Sequence, residues 1–186
     1  LAEYAMQFTE IGIRVLSVAA PQILALLQDK ARFAELGSRL PVPTPETIPF
    51  RTLAEFDAAY ERLRFVYDAL CIKPAQGVYG AGFRLVREGE DGLDGLLQGG
   101  SHSIQLDCLR RLLAQGMPAQ TWLLMEYLPG PEYSLDAVAD GNRLVALIQR
   151  EKREDLYGQR LVARPELTDA AAELVARFGL MGLFID

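Results

Sequence analysis

A single lysine, Lys73, stands inside an apolar run, and a proline and three glycines follow it in "CIKPAQGVYGAGFRLV", residues 71–86. Glycine lets a backbone come close to a ligand and present successive N–H groups to an anion. A lysine on the strand before such a turn adds a point charge. Lys73 with Gly77, Gly80 and Gly82 therefore suits a polyphosphate lying under a flexible flap. The same residues also describe an ordinary β-hairpin with a lysine reaching out to water, and on this stretch alone both accounts stand. A second stretch, "LLMEYLPGPEYSLD", residues 123–136, ends an apolar run in Glu126 and restarts at Glu132 after Pro129-Gly130. Carboxylates there can accept hydrogen bonds from an exocyclic amine or a sugar hydroxyl. They equally suit two solvated rim acids.

The glycine turn lacks the order of a dinucleotide fingerprint, and its lysine precedes the glycines, so it is not a P-loop. No Ser, Cys or His has the setting of a nucleophile. Ser134 and Cys71 sit in strand patterns and His102 in a loop. One histidine cannot supply a multi-histidine metal cluster, and Cys71 and Cys108 are far apart in apolar runs, as expected of reduced cysteines in a cytoplasmic protein. Net charge is −6 with no basic block, which argues against a nucleic-acid partner. No apolar run has the length of a membrane span. The first ten residues, without an initiating Met or a basic segment, suggest a chain that begins inside a longer product.

The elements that must position these residues follow from period and punctuation. A helix ends at Gly12, and "IRVLSVA" reads as a short buried strand. "PQILALLQDKARFAELG" reads as one helix stopped by Gly37. The proline-rich stretch 39–50 is extended or loop. A helix with a Thr52–Glu55 capping box follows. Strands are expected near 69–74 and 82–87, a mobile polar segment at 88–103, a helix over 104–115 and a strand at 121–128. Asp140-Gly141 favours a primed turn in a hairpin over 133–153. "GQRLVAR" is an edge strand, 165–179 a helix with Pro at its start and Gly at its end, and "MGLFID" a last strand. The fold class is α+β with antiparallel sheets, not the alternating order of a doubly wound domain.

Three stretches in this order, "DKARFAELGSRLPVP", "CIKPAQGVYGAGFRLV" and "LLMEYLPGPEYSLD", resemble the ATP-grasp superfamily, in its carbamoyl-phosphate-synthase-like and carboxylate–amine ligase branch. The resemblance covers about residues 20–186. It implies two α+β subdomains whose sheets grip a nucleotide between them, with the C-terminal part truncated. Residues 1–19 would be the remnant of a preceding domain, 20–68 a helical linker and the start of the ATP-grasp domain, 69–127 the subdomain with the flap, and 128–186 an incomplete second subdomain.

The resemblance also implies roles. Lys30 and Lys73 would contact the phosphates of ATP, and Gly77, Gly80 and Gly82 would cover them, with Tyr79 at the tip. Glu126 would face the adenine amino group, and the backbone of Tyr127 and Leu128 would pair with the ring. Glu132 would hold the ribose hydroxyls. One of Arg150, Lys152 or Arg153 would reach the phosphates. Asp186 fits the first Mg²⁺-ligand position, and the Glu-x-Asn pair of the family is missing. The implied activity is ATP-dependent activation of a small carboxylate as an acylphosphate, joined to an amine. The alternatives are a degenerate module that binds nucleotide without turnover, or a phosphotransferase on the same scaffold. The fragment alone is expected to be inactive, and a homodimer is a possible assembly.

Overall fold

The computed structural model describes residues 2–40, 42–77, 80–89, 102–116, 120–152 and 158–185. Two compact units divide the chain, one made of Gln28–Gly37 and Thr44–Leu128, the other of Leu1–Leu27, Ser38–Pro43 and Pro129–Asp186.

The first unit is built on a five-stranded sheet in the order β1-β5-β2-β3-β4, with β1 at Thr47–Phe50, β2 at Leu70–Pro74, β3 at Arg84–Arg87, β4 at Ser103–Gln105 and β5 at Trp122–Glu126. β1 arises from the proline-rich stretch. Pro49 is tolerated there because β1 lies at the sheet edge, where one side of the strand needs no ladder partner. The β2–β3 pair is antiparallel, as expected, whereas β3 and β4 run parallel, so the sheet is mixed. Helix α4, Leu53–Leu63, buries Phe56, Ala59, Tyr60 and Leu63. Helix α5, Leu106–Gln115, buries Leu106, Leu109 and Leu113. Both sets recur at helical spacing, so each helix offers one apolar stripe. The stripes meet Phe50, Leu70, Ile72 and Leu124 of the sheet in a single core. Burying each of the largest of these side chains contributes about 1.5–3 kcal/mol. The Thr52 hydroxyl accepts the Glu55 N–H at 3.2 Å, and the Glu55 carboxylate takes the Arg51 N–H at 2.6 Å, one residue before the cap itself.

The second unit holds a four-stranded antiparallel sheet, β8-β7-β6-β9, with β6 at Tyr133–Asp140, β7 at Arg143–Lys152, β8 at Gln159–Val162 and β9 at Gly182–Ile185. The β6–β7 loop is Gly141-Asn142, both with positive φ (54° and 71°), between Asp140 and Arg143. The primed turn therefore falls one residue later than Asp140-Gly141. Helix α6, Pro165–Phe178, has Pro at its start and Gly179 at its end with φ 61°. Buried Gln149 ties its first turn to β7, donating to the Arg164 carbonyl (3.0 Å) and the Thr168 hydroxyl (2.8 Å) and accepting the Arg164 N–H (2.8 Å).

Two expectations fail near the N-terminus. Helix α1, Ala5–Glu10, ends before Gly12 as expected, but residues 13–19 form no strand. Ile13 and Leu16 are exposed, and a lone bond from the Met181 N–H to the Val18 carbonyl (2.9 Å) is not a ladder. The single helix expected over 21–37 is two, α2 at Pro21–Gln28 and α3 at Lys30–Ala34. Asp29 breaks it. Its backbone is extended, and its carboxylate accepts the N–H groups of Ala31 (3.0 Å) and Arg32 (3.2 Å), which restarts the helix. The polar segment expected to be mobile falls, for residues 90–101, outside the described residues.

Candidate functional site

Lys73 is the fourth residue of β2 and its only half-buried one, the other four being buried. The register pairs Lys73 with Leu123 and Cys71 with Met125. Because directly opposed residues share a face and neighbours alternate, Cys71, Lys73, Leu123 and Met125 lie on one face. Leu70, Ile72, Leu124 and Glu126 lie on the other, the face packed by α4 and α5. Burial pushes the Cys71 thiol up to about 11, against the pull of the Lys73 charge. The thiol is thus a neutral core group, and Lys73 is a charged side chain of this face, which the register shares with Arg87 of β3.

Beyond β2 the chain enters the glycine turn. Lys30, first residue of α3, grips it twice. Its N–H donates to the Ala75 carbonyl (2.9 Å) and its Nζ to the Gly77 carbonyl (2.8 Å). The Gln76 amide reaches the Asp29 carboxylate at 3.4 Å. The break that made α3 a separate helix therefore also places Lys30 on the turn. Gly80 and Gly82 have φ of 67° and 83°, and the Phe83 N–H closes back on the Gly80 carbonyl at 3.0 Å. A Cβ on Gly82 would stand 2.9 Å from Cδ of Pro74, and one on Gly77 3.3 Å from its Cγ. Both arms of the turn thus lie against the Pro74 ring, and glycine is what the return at Gly82 requires. Tyr79, expected at the tip, lies outside the described residues.

The structure brings Lys30, Gly77 and the strand of Lys73 together, and it does not bring the Glu126 carboxylate to that face. Glu126 stands opposite Leu70 on the helix-packed side. There Tyr67 donates to Glu46 (3.0 Å), which also holds Arg62 (2.5 Å). The Tyr67 phenol is raised by its hydrogen bond to Glu46, then by partial burial and by the negative charges of Glu46 and Glu126. The main chain of Glu126 is engaged too, its N–H with the Glu46 carbonyl (3.2 Å) and its carbonyl with the Cys71 thiol (3.8 Å). The Tyr127 N–H donates to the Ala69 carbonyl at 3.0 Å, and its ring lies 6.3 Å from that of Phe83. Leu128 is exposed.

Glu132, Lys152 and Arg150 belong to the second unit. Glu132 forms an ion pair with Lys152, whose N–H also donates to the Glu132 carbonyl at 2.8 Å. Arg150 is held by Asp136 (2.7 Å) and Gln159 (2.5 Å). The β6–β7 register sets Asp136, Arg150, Glu132 and Lys152 on one face, opposite that of Gln149 and α6. Arg153 and Asp186 lie outside the described residues. Among the described residues no group of three or more metal-ligating side chains comes together. Ser134 is buried in β6 and the His102 carbonyl accepts the Leu85 N–H, so both have structural places. No helix among the described residues is long and apolar enough to cross a membrane.

Sequence reasoning passed over Asp29 and Met125. A cap signal, Asp before Lys-Ala-Arg, was present for the first, whereas the second needs the β2–β5 register.

The chain has the ATP-grasp fold. It superposes on the VanG D-Ala:D-Ser ligase of Enterococcus faecalis with a TM-score of 0.59 and 18% identity, covering 99% of this chain and 54% of that one. The match to D-alanyl-alanine synthetase A of Vibrio cholerae has a TM-score of 0.63 and 12% identity, over 99% and 57% of the two chains. That to N5-carboxyaminoimidazole synthetase of Staphylococcus aureus, complexed with ADP, has 0.57 and 18%, over 99% and 45%. The chain thus spans about half the length of these structures. Residues 118–185 match the family described as ATP-grasp in the biosynthetic pathway with Ter operon. No curated protein matches the chain.

Proposed function

We propose that this chain is the nucleotide-binding part of an ATP-grasp ligase, which activates a small carboxylate as an acylphosphate and joins it to an amine. The observation that supports this most is the convergence of Lys30 and the Lys73 strand on the Gly77–Gly82 turn. A polyphosphate over this turn would meet two cations and the N–H groups of a glycine backbone, the donor set that such a ligand requires. Lys30 would exchange its Gly77 carbonyl for a phosphate oxygen. Glu132 would take ribose hydroxyls, with its ion-pair partner Lys152 as the accompanying cation.

The chemistry proposed is positioning and charge neutralisation. A substrate carboxylate oxygen attacks the γ-phosphorus, the bond to the β–γ bridging oxygen breaks, and ADP leaves. An amine then attacks the acylphosphate carbon and expels phosphate. Mg²⁺ would be a partner of the phosphates in this family. The described residues supply no ligand set for it, so the two lysines alone are assigned to the phosphates here.

The test is to incubate the intact protein with ATP, Mg²⁺, a panel of amino acids and hydroxylamine. An acylphosphate is trapped as a hydroxamate in amounts that follow ADP release. ADP release with a stable phosphorylated product and no hydroxamate would mean a phosphotransferase instead.

A further inference from the structure

Residues 29 and 30 hold three consecutive residues of the chain that leaves β2. The Lys30 N–H donates to the Ala75 carbonyl, the Asp29 carboxylate accepts the Gln76 amide, and Lys30 Nζ donates to the Gly77 carbonyl. Ala75 is fixed from the other side too, because its own N–H donates to the Thr121 carbonyl at 2.9 Å, just before β5. Of these ties, the one from Nζ is the one a ligand can take over without moving the main chain. The Asp29 carboxylate divides two tasks between its oxygens. Oδ1 caps α3 by accepting the N–H groups of Ala31 and Arg32. Oδ2 takes the Gln76 amide at 3.4 Å and stands 3.8 Å from Arg32 Nε.

We infer that Asp29 is a positioning residue of the nucleotide site, which through Gln76 keeps the near arm of the glycine turn against Lys30 while Nζ passes from the Gly77 carbonyl to a phosphate. This rests on the nucleotide-binding function proposed above. A lysine and a glycine turn are both costly to order, and a ligand that must order them binds more weakly. The clasp from residues 29–30 to residues 75–77 orders them beforehand, so a polyphosphate meets the cation and the turn already together. Asp29 acts through Gln76 and Lys30 and does not touch the phosphates, which its own charge repels.

The experiment is calorimetric titration of ADP into the native chain and into variants that separate the two oxygens, with thermal melts of each. Serine caps a helix as well as aspartate does but has one oxygen. Asp29→Ser therefore keeps α3 and releases Gln76, and it should bind ADP about three- to tenfold more weakly while melting nearly as the native chain does. Asparagine keeps both tasks, its Oδ1 capping α3 and its Nδ2 donating to the Gln76 amide turned end for end. Asp29→Asn should stay within about twofold of native. Gln76→Ala, at an exposed position outside any helix, should match Asp29→Ser, and the double variant should be no weaker than either single one. If Asp29→Ser lowers the melt, Gln76→Ala and Asp29→Asn carry the test. Native affinity in Gln76→Ala or in a folded Asp29→Ser, an Asp29→Asn as weak as Asp29→Ser, or additive losses in the double variant overturns the role of Asp29 and leaves nucleotide binding standing. A native chain that binds no ADP overturns both.

Discussion

Lys30 and Lys73 reach one turn by different routes, and their settings differ. Lys73 projects from a strand whose neighbours are buried, while Lys30, also half-buried, stands at a helix start and is already bonded to the turn it serves. Two buried groups of the same unit, Cys71 beside Lys73 and Tyr60 in α4, are held neutral. Desolvation, aided by the hydrogen bond to Glu88, raises Tyr60 to about 12, and burial raises Cys71 to about 11. For both, the folded value lies above that of the unfolded chain. Their contribution to stability is thus complete below the unfolded values, about 9–10, and is lost as pH rises through about 11–12. Urea melts between pH 8 and 11.5 should show a steady loss in the native chain, shallower in Tyr60→Phe. Equal slopes would contradict the buried-phenol account. The lysine and the glycines were legible in the sequence because each residue type has a local signature. The direction of Glu126 was not. It depends on which residue of β2 faces which residue of β5, and a one-residue change of register would exchange the faces.

At the scale of elements, most boundaries followed from local chemistry. The Thr52 cap, Gly179 after α6 and Pro165 at its start each appear where the sequence signals them. The departures have two causes. Residues 13–19 are apolar enough for a strand but find no ladder, β1 becomes a strand because β5 pairs with it, and Asp29 prevails over helical spacing by capping. Tertiary partners decided the first two, and a side-chain cap the third. Two substitutions test the elements directly. Thr52→Ala should cost about 1 kcal/mol in urea unfolding, through the lost α4 cap. Gly82→Ala should cost about 1–3 kcal/mol, since φ is 83° and the new methyl meets Pro74. A neutral Gly82→Ala would mean that the return arm of the turn does not rest on Pro74.

At the scale of the whole molecule, the two α+β units were legible as a class, because the three stretches that signal the ATP-grasp fold fall on β2–β3, on β5–β6 and on the α2–α3 break, whereas β4 and its parallel pairing with β3 were not. What the function requires of the fold is local, a strand that delivers one cation and a turn that a second cation holds. The central claim is that this arrangement binds a nucleotide through its phosphates. Calorimetric titration of ATP into the native chain and into Lys73→Ala tests it most directly, with thermal melts of both unliganded proteins as the control. A charge-assisted contact is worth about 1.5–3 kcal/mol, so the variant should bind roughly ten- to a hundredfold more weakly while melting nearly as the native chain does. Equal affinities, with both proteins folded, would contradict the account.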